Sequence, residues 1–190
     1  MNTPINIAQL CPSSTTLGPG RRFVLWVQGC PFKCRNCISP EWIPMRTAQV
    51  MPVQELAEQI LNQPEIEGLT ISGGEPFLQG SALSELLAIV LAERPSLNVL
   101  VFTGFQLDAL NWPEAQAFLQ HIDVLIAGLY VEKKNDGRGL RGSRNQVVHY
   151  LTPRLEAHRY ELEEAPRDLE FHIDDSGVLL VGIPEKNFQW

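Results

Sequence analysis

Long apolar runs are missing from this sequence of 190 residues. No stretch approaches the run of about 18 apolar residues that spans a bilayer. The first ten residues, Met1 to Leu10, hold neither a basic start nor an apolar core, so no secretory leader is expected. Charge is sparse: Asp, Glu, Lys and Arg together make 19% of the chain, and their balance is acidic, with a net charge of −7. That balance argues against a general nucleic-acid partner. Aromatic residues are few, 8%, yet the hydrophobic fraction of 44% excludes a disordered or low-complexity chain. Internal repeats are absent. Length and composition therefore point to one domain, residues 1–190, in the cytoplasm, with no membrane contact.

Cysteine is also scarce, and its placement is uneven. Of the four cysteines, Cys30, Cys34 and Cys37 crowd one short stretch, and Cys11 stands alone upstream. In a chain without an export signal, disulfides are not expected, and clustered thiols read as metal ligands or catalytic groups. A lone cysteine reads as a small buried hydrophobe. Cys-x3-Cys-x2-Cys offers three thiolates from a single loop. Iron–sulfur clusters usually take four, so three would leave one iron of a [4Fe–4S] cube open to a reactant, as three protein ligands do at catalytic zinc. The spacing is neither the bacterial ferredoxin run nor a zinc-finger pattern. A closed site completed by Cys11 or a histidine, holding zinc or an electron-transfer cluster, stays open as the rival reading. His121, His149, His158 and His172 form no close pair and read as structural or surface residues.

The rest of the chain alternates strand and helix. Arg22 to Gln28 is a β-branched and aromatic run that ends at Gly29, and the cysteines follow at once. Val53 to Asn62 has helical apolar spacing, with Pro52 before it and Pro64 beyond. Leu69–Ile71, Asn98–Phe102 and Val124–Ile126 read as strands, and Ser81–Glu93 and Pro113–His121 as helices. Such alternation implies a parallel sheet with crossover helices. The length allows five or six units and not the eight of a closed barrel. The expected fold is α/β: a partial (β/α)6-like barrel, open on one side. Beyond residue 130 the signal weakens: a Gly-rich charged loop (132–144), a polar stretch (154–168), and two short strands flanking Asp174-Asp175-Ser176-Gly177 as a hairpin.

Each strand ends in small residues: Ser72-Gly73-Gly74-Glu75-Pro76, Thr103-Gly104, and Ala127-Gly128. Ligands bind at the carboxyl ends of strands in open α/β sheets and barrels, so these turns and the cysteine loop should ring one pocket. The two glycines permit close approach of the backbone to a ligand, and Glu75 can accept hydrogen bonds from an ammonium. Lys133, Lys134, Arg138, Arg141 and Arg144 form a local basic stretch, read either as a solvated loop or as a docking site for an acidic partner or ligand.

Gln28-Gly-Cys-Pro-Phe-Lys-Cys-Arg-Asn-Cys37 resembles the cluster loop of the radical S-adenosylmethionine (SAM) superfamily, with Cys30, Cys34 and Cys37 matching its three ligands. Gly73-Gly74-Glu75-Pro76 resembles that superfamily's SAM-contacting segment. Leu17-Gly-Pro-Gly-Arg21, Leu140-Arg-Gly-Ser-Arg-Asn-Gln146 and Val181-Gly-Ile-Pro184 resemble the branch that activates anaerobic ribonucleotide reductase, so the likeness runs from about Ile5 to Pro184. It implies a [4Fe–4S] cluster and SAM as cofactors. SAM contacts would come from Asn36 (where many members carry an aromatic), Gly73, Gly74, Glu75, Thr103, Ser143 and Asn145, and no side chain would serve as general acid or base. The activity implied is reductive cleavage of SAM to a 5′-deoxyadenosyl radical, which abstracts hydrogen from a glycine of a partner protein. The partners implied are a glycyl-radical enzyme, or another peptide or small-molecule substrate, and a reduced flavodoxin or ferredoxin as electron donor. Where members often carry an acid after the fourth strand, this chain has Ala127, so no ribose-binding carboxylate is carried over.

Overall fold

The structure is a computed structural model that describes residues 3–174 and 177–185. Its first element is a strand absent from the sequence reading: β1, Pro4–Ser14, which pairs antiparallel with β2, Arg22–Val27. Ile5 and Ile7 of β1 face the main core, and Cys11, also odd-numbered, joins a different apolar cluster. Side chains alternate strictly in a regular strand, so the same parity should give the same face. A register shift between Ile7 and Gln9 breaks the alternation and turns Cys11 to the opposite side. Those irregularities, with Pro4 and Pro12, hide the strand from a search for period two.

The parallel part follows the expected alternation. β2, β4 (Gly68–Gly73), β5 (Asn98–Thr103) and β6 (Val124–Ala127) lie side by side and parallel. Helices α1 (Val53–Leu61), α2 (Gly80–Glu93) and α3 (Pro113–Leu119) connect them. The sheet has seven strands because antiparallel strands complete both edges: β3 (Gln49–Pro52) beyond β1, and β7 (Val147–Tyr150) beyond β6. The fold is thus mixed α/β, an open sheet rich in parallel strands. The parallel strands number four because the chain ends go to antiparallel edges and not to further strand–helix units.

One face of the sheet carries Phe23, Leu25, Val27, Ile71, Val99, Val101 and Leu125, packed against apolar residues of all three helices. Pro76–Glu93 is apolar and long enough to cross a membrane by length and composition alone, contrary to the sequence reading. Leu83, Leu86, Leu87 and Val90 are fully buried in this core, however, so the segment here is a core helix.

The opposite face is covered by the end of the chain. Leu100, Val124 and Ile126 pack with Leu140, Leu155 and with Leu162 of α4 (Arg159–Glu163), and Val24 and Trp26 pack with Val181. Val181 lies on β9 (Gly177–Gly182), which pairs antiparallel with β8 (Leu169–Asp174). The paired strands fit the expected hairpin, and the centre of its turn, residues 175–176, lies outside the described residues. Arg22 enters this face fully buried and, among the described residues, without a contacting carboxylate. Its guanidinium instead donates to Thr70 Oγ1, Asn98 Oδ1 and the carbonyls of Pro19, Leu69 and Asn98. Burial pulls its pKa down to about 10.

Candidate cofactor site at the carboxyl ends of the parallel strands

Val27 sits opposite Gly73, and Thr103 opposite Ala127, so the four parallel strands end at one level. The loops that leave them share one rim of the sheet. The cysteine loop is closed at its base by backbone hydrogen bonds from Gly29 to Trp42 (2.9 Å) and from Cys30 to Ile43 (3.0 Å). Gln28 secures it further, its Nε2 donating to the carbonyl of Pro44 at 2.8 Å. Cys30, Cys34 and Cys37 are all free and half-buried. Among the described residues no three His, Cys, Asp or Glu side chains are gathered to cage one metal ion. Burial pushes the Cys30 thiol up to about 11, a backbone hydrogen bond from Phe32 opposes this, and Glu75, Cys37 and Cys34 add to the rise. Burial also raises Cys37. Burial therefore favours the thiol form of Cys30 and Cys37, and metal loading must expel their protons.

The Gly73-Gly74-Glu75 turn grips this loop directly. Gly74 N donates to Val27 O at 2.7 Å and Glu75 N to Gly29 O at 2.8 Å. Side chains cannot fit between them: a Cβ on Gly74 would lie 2.3 Å from Gly29 O, and one on Gly73 would lie 2.5 Å from Val27 N at a φ of +103°. Where the sequence reading expected these glycines to approach a ligand, the close approach is made to the end of β2 and the base of the cysteine loop.

Glu75 is buried, and its carboxylate ties neighbouring strand ends together. Oε1 accepts from Thr103 Oγ1 (2.8 Å) and Phe77 N (3.0 Å), and Oε2 accepts from Gly104 N (2.8 Å). Desolvation raises its pKa to about 7, against the pull of those donors. Three donors leave part of the carboxylate's acceptor capacity for a ligand. Thr103 is in turn occupied, its oxygen accepting from Phe105 N at 3.1 Å.

Phe32, unremarked in the sequence, pins the cysteine loop to the end of β5. A Cβ on Gly104 would lie 2.4 Å from its ring, and the ring meets Phe105 edge-on at 4.8 Å. Only the glycine at 104 hints at this packing from sequence. Gln146 is a second such residue: its Nε2 donates to Gly128 O at 2.7 Å and its Oε1 accepts from Ser143 N at 3.1 Å.

The remaining predicted residues divide. Ser143 is fully buried, and its oxygen accepts from Val131 N at 3.0 Å, so it braces the turn after β6. Asn145 Nδ2 donates to Leu129 O at 2.8 Å, while its Oδ1 is buried with no partner; Arg141 Nε is likewise buried and unpartnered. A buried polar atom without a protein partner calls for one from outside the chain, a water or a ligand. Asn36 is exposed, adopts a left-handed φ of 54° that asparagine tolerates, and donates to Glu132 Oε1 at 2.6 Å. The basic stretch also splits. Arg138 pairs with Glu164, and Arg141 with Asp136 and Glu164. Among the described residues Lys133, Lys134 and Arg144 form no ion pair.

The rival reading with Cys11 as fourth ligand is corrected here. Cys11 is fully buried among Leu17, Val24, Trp26 and Val181 on the sheet's covered face; its Sγ lies 3.3 Å from Ser13 O and 3.6 Å from His172 Nε2. It pairs with Val24, three residues before β2 ends and six before Cys30, and points into apolar packing.

An open, parallel-rich sheet whose strand ends carry a three-cysteine loop gripped by a Gly-Gly-Glu turn is the arrangement of a radical SAM activating enzyme. A domain family described as "4Fe-4S single cluster domain" matches residues 16–149. Anaerobic ribonucleoside-triphosphate reductase-activating proteins are similar over nearly their whole length. That of Vibrio cholerae is 33% identical over 155 residues, 78% of this chain and 99% of the relative. That of Escherichia coli K12 is 33% identical, over 77% and 99%, and that of enterobacteria phage T4 is 32% identical, over 75% and 92%. Among solved structures, QueE from Escherichia coli overlaps 55% of this chain and 53% of its own, with a TM-score of 0.38 and 19% identity. The chain belongs to the family of anaerobic ribonucleoside-triphosphate reductase-activating proteins, the single-cluster radical SAM activating enzymes.

Proposed function

We propose that this chain activates a glycyl-radical enzyme of the anaerobic ribonucleotide reductase kind, holding a [4Fe–4S] cluster on Cys30, Cys34 and Cys37 and SAM beside it. The observation that carries the reading is the direct backbone grip of Gly74 and Glu75 on Val27 and Gly29, which joins the thiol loop to the Gly-Gly-Glu turn at the strand ends. When bound, the cluster and SAM supply one-electron cleavage of the sulfonium and a 5′-deoxyadenosyl radical that takes a hydrogen atom from the partner's glycine. The chain's own residues bind and orient. Three thiols leave one iron free for SAM. The backbone at Gly73 and Gly74 forms the turn beside it, and the free acceptor capacity of Glu75 suits the methionine ammonium. Thr103 holds Glu75 in place, Asn145 offers its orphaned Oδ1, and Ser143 positions the wall behind it. Asn36 fastens the cysteine loop to the loop after β6.

The test is anaerobic reconstitution with iron and sulfide, reduction with SAM present, and assay for 5′-deoxyadenosine. A partner reductase is then added and its glycyl radical sought by electron paramagnetic resonance. Cys34→Ala should abolish both products. A cluster that ignores SAM ends the enzyme reading; 5′-deoxyadenosine without a glycyl radical leaves the chemistry and rejects the partner.

A further inference from the structure

The loop between β6 and β7, residues 128–146, carries Ser143 and Asn145 and has little regular structure of its own. Apart from one 3₁₀ turn, Glu132–Lys134, it is irregular, and its middle bends at two left-handed glycines, Gly137 (φ +71°) and Gly139 (φ +54°). Its shape is set by the C-terminal segment that packs along it. Gly139 N donates to Ala165 O at 2.8 Å and Leu140 N to Leu162 O at 2.9 Å, and Arg141 Nη2 donates to Glu163 O at 3.0 Å. A Cβ on Gly139 would lie 2.5 Å from Leu162 O and from Glu163 C, so the two backbones touch with no room for a side chain between them.

Arg167, half-buried just before β8, closes this contact. Its Nε donates to Gly139 O at 3.0 Å, its Nη1 to Asn135 Oδ1 at 2.9 Å, and its Nη2 to Arg141 O, with a longer bond of 3.4 Å to Arg138 O. Nη1 also donates to Pro184 O, beyond β9, at 3.3 Å. All but the last of these acceptors belong to residues 135–141, directly before Ser143 and Asn145. A planar fork with donors in fixed directions suits acceptors that converge from separate turns, and an ammonium cannot reproduce it.

Among the described residues, the buried side-chain atoms left without a partner are Arg141 Nε and Asn145 Oδ1. Both lie on the loop that Arg167 holds, one inside the tethered stretch and the other just past it. We propose that Arg167 is a positioning residue for the SAM site, acting through residues 135–141 to hold Asn145 where the ligand meets it. The inference rests on the proposed function, because only bound SAM gives that wall a task. Arg167 lies beyond residue 149, where the match to the single-cluster domain ends, so the hold is supplied by a segment outside the shared domain. With the tether released, the loop spreads over many arrangements, and affinity for SAM falls with the fraction still competent to bind it. Arg154 provides a contrast on the same C-terminal segment. It too donates to backbone carbonyls, those of Pro95, Ser96 and Leu97, but these precede β5, at the opposite end of the sheet from the site.

The test uses the full chain with its cluster left oxidised, so that SAM binds without being cleaved, and reads SAM affinity by anaerobic titration calorimetry. Arg167→Ala should keep a full complement of iron and bind SAM about tenfold or more weakly. Arg167→Lys, which keeps the charge and loses the fork, should fall between that variant and the wild type. Arg154→Ala should lose a similar amount of stability in urea and bind SAM as the wild type does. Wild-type affinity in Arg167→Ala overturns the proposal. An equal weakening in Arg154→Ala also overturns it, since Arg167 would then be a general support of the fold. A measurement on the wild-type chain decides the matter where the variants fail to fold. By the reciprocity of coupled equilibria, SAM should slow amide exchange at Gly139 and Leu140, whose N–H groups donate to the C-terminal segment. Exchange that SAM leaves unchanged there refutes the coupling. A wild-type chain that carries its cluster and binds no SAM rejects the functional reading itself, a result separate from any effect of Arg167.

Discussion

Replacing Gly74 by alanine tests the contact on which the site depends. The new Cβ would lie 2.3 Å from Gly29 O and 2.7 Å from Gly29 C, both backbone atoms that no rotamer change can move aside. Either the turn after β4 or the base of the cysteine loop has to shift. Overpacking of this kind costs about 1–3 kcal/mol. Separation of the two segments also loosens the hydrogen bonds Gly74 N–Val27 O and Glu75 N–Gly29 O, at about 0.5–1.5 kcal/mol each. The expected loss is thus about 2–6 kcal/mol out of a total stability of about 5–15 kcal/mol. Urea unfolding of the cluster-free chain, with thiols kept reduced, reads that loss directly. Iron and sulfide per chain after anaerobic reconstitution read the second consequence, a displaced loop that no longer loads a full cluster. Gly104→Ala is the contrast. Its clash is with the Phe32 ring, 2.4 Å away, and a side chain can swing clear, so its stability cost should be clearly smaller. A Gly74→Ala chain with wild-type stability and a full complement of iron refutes the grip as the device that builds the site.

Two further outcomes follow from buried groups. The Glu75 pKa stands near 7 in the folded chain against 4.5 unfolded, so its stabilising contribution is complete below pH 4.5 and is lost as pH rises through 7. At about 1.4 kcal/mol per pH unit this is about 3 kcal/mol. The stability of the wild-type chain relative to Glu75→Gln should therefore fall by roughly that amount between pH 4.5 and 8 in denaturant titrations; a difference independent of pH shows that Glu75 is not held in a desolvated site. Cys11→Ala should leave iron content and 5′-deoxyadenosine formation at wild-type levels and cost about 1 kcal/mol of stability, since it removes one small buried group; loss of the cluster in that variant would restore Cys11 as a ligand.

What was legible in the sequence is what short-range pattern encodes. The helices α1, α2 and α3 fall within a residue or two of their periodic stretches, because proline and apolar spacing mark them locally. The parallel strands show as continuous apolar runs because both their faces are covered, β2 without a single exposed position. β1 was illegible because its register shifts move Ile7 and Cys11 to opposite faces, so no single phase describes it. The cysteines and the glycines were legible as residue types, but the partners of those glycines were not. Val27 and Gly29 lie more than forty positions before Gly73 and Gly74, and a contact that distant exists only once β2 and β4 pair in register. The same holds for the basic stretch. By sequence its five cations are equivalent; in the fold, α4 is followed by Glu164, which pairs with Arg138 and Arg141, while Asn36 carries Lys33 and Arg35 to the other three. Glu164 lies beyond residue 149, where the match to the single-cluster domain ends. The charge left free at the cysteine loop is therefore set partly by a segment outside that shared domain, and a chain lacking it would present Arg138 and Arg141 without that partner.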